Sequence, residues 1–265
     1  MPALLRPWGR MHYRIDGPDD GPELVFANSL GTDLRLWDDV VQLLPEFRCI
    51  RFDKPGHGLS DGAAAVTIDS LAEDAAALIG RLARGPVVLV GLSIGGMIAQ
   101  AVALRHPGLL RGLVLSNTAA KMGTAEGWSD RIAAIRAGGL ESIADAVMDR
   151  WFAAEFRAGP DLAIWRNMMV RTPAAGYIAA CEALAAADLT GALAGLRLPV
   201  MVIAGEEDRA SPPDLVAGLA AAIPGARLHR LAGTGHIPPA EAAGPMAGLL
   251  RSFAGILAPL EAVDG

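Results

Sequence analysis

Cysteine is scarce in this 265-residue chain: Cys49 and Cys181 are the only two, far apart and in none of the metal-ligand spacings. That usage argues against a disulfide framework or a cysteine-held metal, and it favours the reducing cytoplasm as the compartment. Basic clusters are also lacking. The 23 Lys and Arg residues are outnumbered by 29 Asp and Glu, for a net charge of -6, and they form no block, which disfavours nucleic acid as a partner. Lysine is confined to Lys54 and Lys121; with the alanine bias, we read this as genomic composition without functional meaning. A secretory segment is not expected, because proline and charge interrupt the first seven residues. Repeats and low-complexity linkers are missing too. One stretch, 85–104, carries no charge and matches the roughly 20 residues that a bilayer span needs. Its interior Gly91, Gly95, Gly96, Ser93 and Gln100 divide it instead into a buried strand and a core-facing helix, so no membrane partner is expected.

What the chain does have is apolar material, 52% of its residues, enough for one α/β domain carrying an insertion. Short buried strands are expected at 23–28, 48–53, 86–90, 111–116, 199–204 and 227–231. Between them, helical patterns cover 34–44, 67–83, 94–105, the stretch after Pro212-Pro213, and about 240–257. Strand and helix in alternation predict a parallel sheet. Strands cease between about Thr118 and Thr190, where several helices rich in Ala, Trp, Met and Arg are expected. Residues 119–190 therefore read as a helical cap and residues 1–118 with 191–265 as the core. Such a cap would fold over the carboxyl edge of the sheet and shape a pocket there.

The chemistry centres on Gly91-Leu92-Ser93-Ile94-Gly95, a Gly-x-Ser-x-Gly pentapeptide between an apolar strand and a helix. In a chain of 31 glycines the pentapeptide alone carries little weight; its strand-to-helix setting gives it meaning. A serine on so tight a turn projects its hydroxyl outward, and its neighbours two positions away must be small. The hydroxyl needs a base, and the base needs an acid to fix its tautomer. His236, in a glycine-rich loop between the last strand and the last helix, is the candidate base. Of the other histidines, His106 reads as a helix-end residue and His229 as part of a strand. Asp208, just past the strand 199–204, is the candidate acid, with Glu206 and Glu207 as competitors. Asp53 precedes the serine and so breaks the Ser, Asp, His chain order; it reads as the residue that fixes the turn 53–58. An oxyanion would be met by the backbone N–H of Ile94 and that of Leu30, in the loop after the strand 23–28.

Several segments together resemble the 3-oxoadipate enol-lactonases of the α/β-hydrolase superfamily over nearly the whole chain. They are Asn28-Ser-Leu-Gly-Thr-Asp-Leu-Arg-Leu-Trp37, Arg51-Phe-Asp-Lys-Pro-Gly-His-Gly-Leu-Ser-Asp61, Gly91-Leu-Ser-Ile-Gly-Gly-Met-Ile-Ala-Gln100 and Ser116-Asn-Thr-Ala-Ala-Lys121. In the insertion, Arg166-Asn-Met-Met-Val-Arg-Thr-Pro173 and Gly176-Tyr-Ile-Ala-Ala-Cys181 are similar as well. The first loop carries Asn28-Ser29 where many relatives have His-Gly, a change that leaves backbone donation intact. The resemblance implies an α/β-hydrolase fold: a mostly parallel eight-stranded sheet, helices on both faces and a helical cap after strand 6. It implies hydrolysis of an unsaturated lactone bearing a free carboxylate, in aromatic-compound degradation through the β-ketoadipate pathway, with neither metal nor organic cofactor.

A carboxylate on the substrate asks for a cation, and arginine's planar fork suits it best. Arg131, Arg166 and Arg171 in the cap and Arg35 near the oxyanion loop are the candidates, with Trp128 and Tyr177 as apolar walls. Other readings use the same residues: a broader carboxylesterase or lactonase, a cofactor-free perhydrolase, or a non-catalytic receptor for a small ligand. Nothing in the sequence specifies an oligomer.

Overall fold

The computed structural model describes residues 1–257, so the last eight positions of the segment 191–265 lie outside the described residues. The chain opens with an antiparallel hairpin, β1 (Ala3–Arg6) and β2 (Gly9–Asp16), that the hydrophobic pattern did not announce. Met11 alone is buried in β2, and His12, Arg14 and Asp16 leave it without an apolar run. After β3 (Glu23–Ala27) come a 3-10 turn at Leu34–Trp37, α1 (Asp38–Gln42) and β4 (Arg48–Phe52). Then follow α2 (Ile68–Leu82), β5 (Val87–Leu92), α3 (Ile94–Arg105) and β6 (Leu110–Ser116).

The sheet order is β1-β2-β4-β3-β5-β6, continued by β7 (Val200–Gly205) and β8 (Arg227–Leu231), and every pairing from β4 to β8 is parallel. All residues of β3, β4, β5 and β7 are buried, so both faces of the sheet are covered. Two arginines share that burial in β4. Arg48 is paired with Glu23, and Arg51 with Asp16 and Asp38. The charge-free stretch resolves into β5 and α3, and α3 is buried nearly all round against β3, β5 and β6. Thr67 caps α2 through a reciprocal pair of bonds with Ser70, which fixes where that helix starts.

Between β6 and β7 the chain forms no strand. It forms α4 (Ala125–Gly138), α5 (Ala144–Trp151), α6 (Ala154–Ala158), α7 (Leu162–Val170) and α8 (Ala174–Ala186). Beyond β7 lie α9 (Pro213–Ala222), β8 and then two helices where the sequence suggested one: α10 (Pro238–Glu241) and α11 (Ala243–Ile256). Pro245 explains the break. It has no N–H to give to the carbonyl of Glu241, and in a continuous helix its ring would clash with that carbonyl, so the helix restarts at Ala243 with the proline in its first turn. The break leaves Glu241 at a helix end, close to the loop of His236.

Candidate active site

Ser93 sits between β5 and α3 with φ 58, a left-handed conformation rare for a residue with a side chain. The turn is held by Ser93 N–H donating to the Ser116 carbonyl at 3.0 Å, and by Thr118 Oγ1 donating to the Ser93 carbonyl at 2.7 Å. Glycine is required on either side. A Cβ at Gly91 would collide with the Gly95 carbonyl, and one at Gly95 with the Ala27 carbonyl. The serine consequently lines a cavity of about 280 Å³ together with Ser29, Leu30 and His236 from the core. Further lining comes from the segment inserted between β6 and β7, including Trp128, Arg131, Arg150, Trp151 and Tyr177.

The acid and the imidazole arrive from adjacent strand ends. Glu206 N–H donates to the Leu231 carbonyl at 3.0 Å and Glu207 N–H to the Thr234 carbonyl at 2.9 Å, so the β7–β8 pairing continues into both loops. This brings Asp208 Oδ2 to 2.8 Å from His236 Nδ1, with both side chains buried. An ionised carboxylate only accepts, so Nδ1 carries the proton and Nε2 is left as the basic nitrogen. Ser211 Oγ donates to Asp208 Oδ2 at 2.6 Å, and Asn117 Nδ2 does so at 2.9 Å. Burial works to raise the Asp208 pKa, but the His236 charge and these hydrogen bonds outweigh it and hold the carboxyl below its ordinary value. Glu207 instead accepts from Ala154 N–H at 3.4 Å, and Glu206 is exposed, so neither competitor reaches the imidazole.

The loop bearing Leu30 is anchored from beneath. Asn28 Nδ2 donates to the Phe52 carbonyl at 2.8 Å, and Asn28 Oδ1 accepts from Trp37 Nε1 at 2.8 Å. Lys54 Nζ donates to the Ser29 carbonyl at 2.5 Å and more distantly, at 3.3 Å, to that of Thr32. Burial lowers the Lys54 pKa to about 7, against the pull of Asp53 and Asp33. Asp53 accepts from Leu34 and Leu59 N–H and from His12, which is the turn-fixing place the sequence suggested. Among the described residues, neither Leu30 N–H nor Ile94 N–H donates to a protein acceptor, so both are available to an anionic oxygen at Ser93.

The cationic candidates separate. Arg131 reaches the serine cavity, its guanidinium 5.0 Å from the Trp128 ring centroid. Tyr177 is fully buried in the wall, where burial pushes its hydroxyl up to about 12 against the opposing charge of Arg131. The structure places the other three arginines outside the residues that line this cavity. Arg35 folds onto Asp33 at 2.6 Å, and Arg166 is held by Glu141 and Asp145 on the outside of the insertion. Arg171 lines a different pocket with Arg35, beside the Asp53 turn.

Arg150, which the sequence did not single out, lines the serine cavity beside Arg131. It lies at the end of α5, and partial burial of its guanidinium, then the charge of Arg131, lower its pKa. Nothing local marks it in the sequence, since the exposed face of α5 becomes cavity wall only through packing. Asn117 and Ser211 were also missed. A polar residue just past the strand beside the acid-bearing strand is the signal that would have found Asn117. Among the described residues no cluster of three His, Cys, Asp or Glu side chains could hold a metal ion, and no helix is long and apolar enough to cross a membrane.

Comparison with known proteins agrees with this architecture. Residues 24–249 match the model of the Alpha/beta hydrolase family. The chain is 34% identical over 201 residues to 3-oxoadipate enol-lactonase 1 of Acinetobacter baylyi, covering 75% of this chain and 76% of that protein. It is 35% identical to 3-oxoadipate enol-lactonase 2 of the same organism, over 75% and 76% of the two chains. The crystal structure of the enol-lactonase from Burkholderia xenovorans LB400 superposes with a TM-score of 0.92 at 37% identity, covering 96% of this chain and 100% of the other. Fold, family model and relatives agree: the chain belongs to the alpha/beta hydrolase family and is a carboxylic ester hydrolase.

Proposed function

We propose that this enzyme hydrolyses 3-oxoadipate enol-lactone to 3-oxoadipate, as a step of aromatic-compound breakdown in the β-ketoadipate pathway. Ser93 Oγ attacks the lactone carbonyl while His236 Nε2 takes its proton, and Asp208 holds the imidazolium. Leu30 and Ile94 N–H receive the oxyanion. Collapse expels the ring oxygen as an enolate, which His236 protonates; the enol then becomes the ketone. Water, deprotonated by His236, releases the acid from Ser93. In this reading residues 119–190 act as a cap that selects the substrate and the rest of the chain supplies the catalytic core.

The observation that carries the substrate class is the pair Arg131 and Arg150. Two guanidinium groups face one cavity, their like charges oppose each other, and neither has a carboxylate partner among the described residues. An anionic substrate relieves that repulsion and gains charge-assisted hydrogen bonds. Trp128, beneath Arg131, offers a flat apolar surface to a small ring.

The test compares the lactone acid with its methyl ester. Arg150→Met and Arg131→Met are each expected to lower kcat/KM for the acid by roughly 10- to 100-fold, the equivalent of one charge-assisted hydrogen bond of about 1.5–3 kcal/mol. The methyl ester should lose no more than about three-fold, because it carries no charge to lose. Equal losses on both substrates would assign the arginines to packing and remove the basis for an anionic substrate.

A further inference from the structure

The segment that carries Arg150 is bonded directly to the loops that carry His236 and Asp208. His236 N–H donates to the Trp151 carbonyl at 2.5 Å, and Arg209 N–H donates to the Arg150 carbonyl at 3.3 Å. The Trp151 ring stacks beside the imidazole, centroids 6.5 Å apart and planes at 29°. One carboxylate closes this junction. Glu241 Oε2 accepts from Ala153 N–H at 2.8 Å, and Glu241 Oε1 accepts from Gly235 N–H at 3.0 Å. Ala153 belongs to the insertion just past α5, and Gly235 directly precedes His236. The two strips of backbone lie so close that a Cβ on Gly235 would collide with the Trp151 carbonyl and crowd Ala153 N and Glu241.

We propose that Glu241 is a positioning residue that clamps the end of α5 to the His236 loop, so that the cationic seat at Arg150 and the catalytic imidazole are held as one body. Both its oxygens are used on backbone donors, so its contacts with the site run through the backbone of residues 150–153 and 235–236, while its charge also acts on His236 through space. The part concerning Arg150 rests on the anionic-substrate reading; the part concerning His236 does not.

Glu241→Ala removes both acceptors. Glu241→Gln keeps the size but replaces one oxygen by an NH₂ group that cannot accept from the N–H facing it. The probe is diethyl 4-nitrophenyl phosphate, which phosphorylates an activated serine and releases one nitrophenolate per competent site. In the alanine variant the inactivation rate constant per folded site should fall by roughly ten-fold or more, within the ~10²-fold that a 1 Å misplacement of reacting groups costs. Nitrophenyl acetate should lose kcat with little change in KM, whereas the lactone should lose kcat and also show a raised KM. A lowered unfolding midpoint with the inactivation rate within about two-fold of the parent would overturn the proposal and leave Glu241 a structural role only. If the alanine variant does not fold, the glutamine variant decides: a fall of about three-fold or more supports the clamp, and an unchanged rate overturns it. A parent enzyme that is phosphorylated but ignores the lactone would refute the substrate reading alone, with the clamp still judged on the inactivation rate.

Discussion

Lys54 is buried among backbone carbonyls, with no carboxylate among the described residues in contact with its ammonium, and it holds the loop of Leu30, which lines the serine cavity. In the unfolded chain the amine stays protonated up to about pH 10.4. In the native chain it does so only to about 7. Between those values the unfolded state binds more protons, so stability rises with pH; below about 7 both states are protonated and the contribution is flat. Cys49, Cys181 and Tyr177, each pushed up to about 12 by burial, act in the opposite sense once their unfolded counterparts ionise. That begins near the ordinary thiol value of about 8.5, so the clean interval is roughly pH 7 to 8.5. Urea unfolding across it should show stability increasing by about 1 kcal/mol per pH unit. Lys54→Met should flatten the slope, and a parent whose stability is level or falls there would contradict the buried cation. The sequence showed Lys54 only as one of two lysines; its meaning came from the third dimension.

At the scale of elements, the readable parts were those whose local chemistry and burial agree. The strand into Ser93, the helix out of it and the capped start of α2 all appear where residue pattern and turn chemistry place them. The hairpin β1–β2 escaped notice because one buried methionine makes no periodicity. The arginines escaped for a related reason: a sequence shows that Arg166 and Arg150 are cations on insertion helices, but not that Glu141 and Asp145 hold one outside while the other faces the serine. Asn117 shows an element end put to use. With φ 48 it turns the chain after β6, and its Nδ2 donates both to Asp208 and, at 3.1 Å, to the Gly235 carbonyl. Asn117→Gly relieves the left-handed conformation and deletes the hydrogen bonds, whereas Asn117→Ala deletes the bonds and keeps a Cβ in the strained region. Both should lower kcat by about ten-fold, the order of one lost hydrogen bond. The alanine variant should be the less stable by about 1 kcal/mol, because Gly bears no left-handed penalty. Full kcat in the glycine variant would show that Asp208 keeps its place without Asn117.

For the whole molecule, an acidic protein of net charge -6 carries at its serine cavity two cations without carboxylate partners among the described residues, a local reversal of its overall sign. Both come from the segment between β6 and β7, whereas the serine, the acid and the imidazole stand just past β5, β7 and β8. The central claim is that this arrangement hydrolyses the enol-lactone through Ser93. The most direct measurement is the ultraviolet-monitored loss of freshly generated 3-oxoadipate enol-lactone with the parent and Ser93→Ala, beside a neutral nitrophenyl ester. The account predicts lactone turnover that exceeds ester turnover and disappears in Ser93→Ala, with the unfolding midpoint of that variant close to the parent's. Ester hydrolysis without lactone hydrolysis, or lactone turnover that survives Ser93→Ala, would contradict it.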